Sequence, residues 1–215
     1  MRSIPMRPVN QAAEQESSYR IKSPLLFGVL QQFDPETRYE ILDLSPANTD
    51  TLDFFSPYRC RLHLPGCRDT LLTQVTAEAQ EPATWTQLFN TCLPWPEPAP
   101  ASLDLLLLWD LPNYLNEPGV RALIDYLAPC FSARTALHMY IHTRQTMPVT
   151  PCNYRITGEQ QVQIETFSAW TAVSPVYYQE RLHKLFAPFR VERGMLLANG
   201  LQEYVMRIPG TKTKR

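Results

Sequence analysis

Asp43 closes the apolar run Tyr39-Glu40-Ile41-Leu42-Asp43-Leu44 and is followed at once by Ser45-Pro46-Ala47-Asn48-Thr49. A carboxylate at the carboxyl end of a buried strand can orient a ligand or anchor the backbone of its own turn, and such turns are where backbone N–H groups approach bound molecules. This turn has no glycine, and Pro46 removes one donor. A second cluster, Trp109-Asp110-Leu111-Pro112-Asn113-Tyr114, ends the strongest apolar stretch of the chain. Asp110, Asn113 and Tyr114 there read as a site wall rather than a catalytic acid, since Asp and Asn before a proline or helix are also ordinary turn formers. Cys60, His63 and Cys67 have a metal-like spacing, but on a strand residues 60 and 63 point to opposite faces and no fourth ligand is near, so no metal is expected. His138 and His142 share a strand face with Tyr140. Paired imidazoles could bind a metal or move protons, yet the pattern favours a partly exposed sheet face or a subunit contact.

Other chemistries lose support. There is no G-x-G, G-x-x-x-x-G-K-[ST], H-E-x-x-H or G-x-S-x-G, which argues against dinucleotide oxidoreductases, P-loop phosphotransferases, zincins and α/β-hydrolases. With 20 Lys and Arg against 21 Asp and Glu, the net charge of −1 gives no electrostatic case for nucleic acid. Five cysteines without C-x-x-C spacing, and a polar amino terminus, predict reduced thiols and a cytoplasmic location. No apolar run approaches the ~18–20 residues a membrane span needs.

The elements that must position these residues follow from periodicity and punctuation. The 215 residues suit one α/β domain over 24–208, with a polar extension at 1–23 and a basic tail at 209–215. The pattern predicts a helix over 24–32, a strand over 39–44, and a helix over 51–55 capped by Asn48 or Thr49, with Leu52 and Phe55 on one face. A second strand falls at 58–64, and the third is left unassigned within 69–80. Trp85, Leu88, Phe89 and Cys92 mark an amphipathic helix, and 94–100 is a stiff proline-rich connector. Leucines over 103–108 predict a strand buried on both faces, and Glu117-Pro118 opens a helix that Pro129 stops. A strand at 134–143 precedes an irregular insertion, 147–172, holding a strand near 162–167. A helix over 175–186 follows, with Val176, Leu182 and Phe186 as core contacts. Asn199-Gly200 predicts a two-residue type I′ hairpin that pairs Ala198 with Leu201, Glu192 with Arg207 and Met195 with Tyr204.

Over 24–208 the chain resembles class I S-adenosylmethionine-dependent methyltransferases. The resemblance rests on Ile41-Leu42-Asp43-Leu44 as the first strand, 105–114 as the fourth strand with its loop, and the hairpin at 191–208. It implies a Rossmann-like α/β fold, a mostly parallel twisted sheet flanked by helices and finished by an antiparallel hairpin. It also implies S-adenosylmethionine as cofactor, with Asp43, Ser45, Ala47, His63, Asp110 and Leu111 at the cofactor positions. Trp109, Asn113 and Tyr114 would line a substrate or partner pocket. In that family the aspartate precedes a turn of glycine, a small residue and glycine, and an acid at the end of the second strand accepts the ribose hydroxyls. Here Ser45-Pro46-Ala47 replaces the turn, 63–65 carries no acid, and the nearest one is Asp69. The expectation is a degenerate cofactor site on a non-catalytic binding or regulatory module that acts through a protein partner or self-association. The alternative is an active methyltransferase with an atypical loop, working by substrate positioning. A third reading is an unrelated α/β protein that holds a different ligand at the strand ends.

Overall fold

The computed structural model describes residues 17–66, 68, 71, 82–93, 102–158, 160–168 and 170–210. In chain order the first elements are β1 (Ser17–Lys22), α1 (Pro24–Leu30), β2 (Tyr39–Asp43), α2 (Thr49–Phe55), β3 (Cys60–His63) and α3 (Pro82–Cys92). Next come β4 (Leu105–Trp109), a 3-10 turn (Leu111–Asn113), α4 (Glu117–Leu127), β5 (Ala136–His142), β6 (Thr146–Pro148) and β7 (Asn153–Gly158). The chain continues through β8 (Gln161–Thr166), β9 (Thr171–Val173), α5 (Gln179–Leu185), β10 (Arg190–Leu196) and β11 (Leu201–Arg207). The undecided stretch at 69–80 and the proline-rich connector lie outside the described residues, apart from Leu71.

The main sheet is mixed and has six strands in the order β10-β11-β5-β4-β2-β3. β3, β2, β4 and β5 pair in parallel, whereas β11 runs antiparallel to both β5 and β10. β2 leads through α2 to β3 on one side while β4 lies on its other side, so the winding reverses between β2 and β4. With the last strand inserted in reverse between β5 and β10, this strand order is that of a class I methyltransferase-like fold.

Every side chain of β4 is buried, because the sheet is covered on both faces. Leu106 and Leu108 join the core under α3, α4 and α5, while Leu105, Leu107 and Trp109 join the core on the opposite face. α4 starts where Asn116 accepts the Gly119 N–H, and buries Val120, Leu123, Ile124 and Leu127. Gly119 admits Trp85 of α3 so closely that a Cβ would lie 2.5 Å from the indole. Asn48 caps α2, but the buried residues there are Thr51 and Phe55; Leu52 points outward. Val176 is likewise exposed and precedes α5, whose neighbourhood is anchored by Leu182 and Phe186. Among the described residues no helix is long and apolar enough to cross a membrane.

The opposite face carries the main departure from the sequence reading. The insertion folds as the hairpin β7–β8, which β1 joins to give the sheet β1-β8-β7, and β6 pairs with β9. Alternation turns Tyr154, Ile156, Val162 and Ile164 inward against the main sheet. His138 and Tyr140 of β5 are therefore fully buried rather than part of an exposed sheet face.

The terminal hairpin also differs in its turn. Leu197 N–H donates to Leu201 O at 2.8 Å and Gly200 N–H to Leu197 O at 3.0 Å, enclosing three residues instead of two. Gly200 has φ 87, while Asn199 is not in the left-handed region that a type I′ turn requires. The register moves by one, placing Tyr204 opposite Gly194 and Glu203 opposite Met195. A bulge between Val191 and Arg193 shifts the register by one more, so Arg190 rather than Glu192 lies opposite Arg207, although the Arg207 side chain still reaches Glu192 Oε2 at 2.8 Å.

Candidate functional site

The reversal between β2 and β4 is where sheets of this kind bind ligands, beyond the carboxyl ends of the strands. Asp43 ends β2 there with no exposed surface. Its Oδ1 accepts the Ser45 N–H at 2.8 Å and the Trp109 indole N–H at 2.5 Å. Among the described residues Oδ2 has no hydrogen-bond partner. Burial pushes this carboxyl up to about 7, against the opposing pull of the Trp109 and Ser45 hydrogen bonds and the Arg68 charge.

Trp109 ends β4 with φ 53, an unusual backbone for a bulky side chain, beside a bulge in the β4–β5 ladder. Its indole lies parallel to the Tyr154 ring, with centroids 4.9 Å apart and planes 5° apart. Tyr140 continues the stack on Tyr154 at 5.4 Å. Three aromatic rings from β4, β7 and β5 thus fill the space over the strand ends.

Several predicted site residues, with others, hold β7 and the segment leading into it. Ser45 Oγ donates to Tyr154 O at 3.2 Å, Asn48 Nδ2 reaches the same carbonyl at 3.3 Å, and Ile156 N–H donates to Thr51 Oγ1 at 3.1 Å. Asp110 Oδ2 accepts the Cys152 N–H at 3.1 Å. Tyr114 OH is within 3.1 Å of Pro148 O and 3.0 Å of Thr150 O. Arg68 adds bonds to Cys152 O at 2.6 Å and Asn153 Oδ1 at 2.8 Å. Asn113 ties the turn after β4 to β5, donating to Asp110 O and Tyr140 O and accepting the His142 N–H.

The remaining candidates are not brought to the cluster. Ala47 is exposed, Leu111 belongs to the helical core, and His63 pairs with Glu40 at 2.7 Å. His142 Nε2 is 3.8 Å from Asp110 Oδ2, outside hydrogen-bond range. Burial and then the Asp110 charge push the Cys152 thiol and the Tyr114 phenol well up, so neither is poised as a nucleophile or base. No group of three or more His, Cys, Asp or Glu among the described residues could hold a metal ion.

Sequence reasoning missed Tyr154, Cys152, Tyr140, Thr51 and Arg68 as members of this cluster. The alternation Tyr154-Arg155-Ile156 and Val162-Gln163-Ile164 was a strand signal within the insertion; nothing in the sequence marked Arg68.

No family model and no curated protein matches the chain. Among solved structures it is similar to a SAM-dependent methyltransferase from Aquifex aeolicus, at 12% identity and TM-score 0.45, covering 88% of this chain and 91% of that one. It is also similar to 1,6-didemethyltoxoflavin-N1-methyltransferase of Burkholderia thailandensis, whose structure holds S-adenosylhomocysteine, at 12% identity, TM-score 0.44 and coverages of 87% and 76%. The pyocyanin biosynthetic protein PhzM matches at 14% identity and TM-score 0.45 over 84% of this chain, which spans about half (53%) of PhzM. At these identities no residue's role passes from those proteins to this one, and the fold assignment rests on the strand order.

Proposed function

We propose that this chain is a methyltransferase-like protein with a degenerate S-adenosylmethionine site, serving as a non-catalytic binding or regulatory module through a protein partner or self-association. The observation that carries this reading is the stack of Trp109 on Tyr154 beside Asp43, which supports it because β7 packs at the carboxyl ends of β2 and β4, the region where sheets of this kind take ligands. The residues do not fit the cofactor in this arrangement. The Ser45 N–H is taken by Asp43, Pro46 has none, and the end of β3 offers His63, Leu64 and Pro65 in place of a carboxylate.

Energetics favour the same reading. Freeing the crevice breaks the hydrogen bonds that hold 148–156, each worth about 1 kcal/mol net, and an aromatic stack worth about 1 kcal/mol more. Their sum is of the order of the whole binding energy of a micromolar ligand, about −8 kcal/mol. Exposed apolar side chains at Trp170, Val173, Val176 and Tyr178 support a role at a protein surface.

Calorimetric titration of the folded protein with S-adenosylmethionine and, separately, S-adenosylhomocysteine tests the proposal, with no saturable heat expected up to millimolar ligand. Micromolar binding would overturn it and support an active methyltransferase with an atypical loop.

A further inference from the structure

Asp43 combines three features that bear on how β7 is held. Its Oδ2 is buried without a donor, its Oδ1 holds the indole of a residue kept in left-handed backbone, and that indole is the surface on which Tyr154 rests. The same Ser45 whose N–H binds Asp43 bonds through its hydroxyl to the backbone of Tyr154. The carboxyl is thus linked to β7 by two short routes, through the indole and through Ser45.

We propose that residues 148–158 form a proton-gated strap: loss of the proton from Asp43 leaves a buried carboxylate with one oxygen unpaired, and opening of the strap, which frees β7 from the turn after β2, lets water reach it. A buried carboxylate oxygen with no donor is tolerated in a neutral acid and strongly disfavoured in an anion. The strap-closed form therefore holds the proton more tightly than an open form in which Asp43 meets water. The sign follows: closure is strongest at low pH and weakens as pH rises to about 7.

The titratable and charged groups around the Asp43–Trp109 pair are few. Arg68 favours the anion, but its guanidinium also grips Cys152 O and Asn153 Oδ1 of the strap. From β5, His138 and Tyr140 meet the Trp109 ring at 5.7 and 6.1 Å. Tyr154 faces it from β7, and the charge of Asp110 acts on Cys152 and Tyr154 of the strap. This inference concerns the closed strap alone and holds whether or not the protein is catalytic.

Hydrogen exchange of the full chain, followed by NMR at pH 5, 6, 7 and 8 and corrected for base catalysis, tests it. The reporters are the Tyr154 and Ile156 amides, which donate to Ser45 Oγ and Thr51 Oγ1 rather than to β8. Their protection is expected to lie below that of Leu106 and Leu107 in β4 and to be insensitive to low urea, as for a local opening. It should fall roughly tenfold from pH 5 to 6 and about 50-fold between pH 5 and 7, levelling off above, and Asp43→Asn should abolish that slope. Equal protection of the two amides at pH 5 and 7, or exchange that tracks β4 throughout, would overturn the proposal. The native protein decides this even if Asp43→Asn does not fold, and because no cofactor is added, the outcome is independent of the titration above.

Discussion

Glu203, on β11, has no exposed surface and accepts from Ser23 Oγ at 2.6 Å, from the Leu26 N–H at 2.9 Å and from the Leu25 N–H at 3.2 Å. His138 Nε2 lies 3.1 Å from the same carboxylate. Burial alone would raise this carboxyl, yet His138, Ser23 and Leu26 together hold it below its ordinary value. Glu203→Ala would strand these donors and is expected to cost about 3–5 kcal/mol in urea denaturation, with Glu203→Gln milder. Because the folded value is depressed, its contribution is present above about pH 4.5 and lost as pH falls below that. Asp43 has the opposite sign. Its folded value is raised from 3.8 to about 7, so the fold loses stability as pH rises through that window. The loss approaches about 1.4 kcal/mol per pH unit, and Asp43→Asn should flatten the stability profile between pH 4 and 7.

At the scale of elements, β4 and α4 were legible because their signals are local. Leu105 to Leu108 run without a polar break, and Asn116, Pro118 and the apolar spacing define a helix with its cap. The packing of α3 on α4 adds a constraint that spacing cannot reveal, since Gly119 stands against Trp85. Gly119→Ala should therefore destabilise the fold by about 1–3 kcal/mol in thermal or urea unfolding, although alanine is the better helix former. The alternation of His138 and Tyr140 opposite Leu137, Met139 and Ile141 was also readable, but not what covers each face. That cover comes from β1, β7 and β8, and contacts such as Ser45 to Tyr154 join residues 109 positions apart. Periodicity identifies a strand and leaves its partner unspecified. The hairpin shows the same limit: Asn199-Gly200 marked the turn, while the three-residue loop and then the bulge at Glu192 each moved the register by one.

For the molecule as a whole, the sheet keeps the strand order of a methyltransferase-like fold while one insertion packs against the face where β2 and β4 end. Of the residues singled out in the sequence, Ser45, Trp109, Asp110 and Tyr114 contact the segment 148–154, Asp43 holds Trp109 and Ser45, and Asn113 ties the turn after β4 to β5. The most direct check on the central claim is the NMR signal of the Trp109 indole N–H and its contact with the Tyr154 ring, recorded with and without millimolar S-adenosylhomocysteine. The proposal predicts a persistent Trp109–Tyr154 contact and unmoved signals at Asp43, Leu44 and Ser45. Loss of that contact, together with saturable shifts at those three residues, would contradict it.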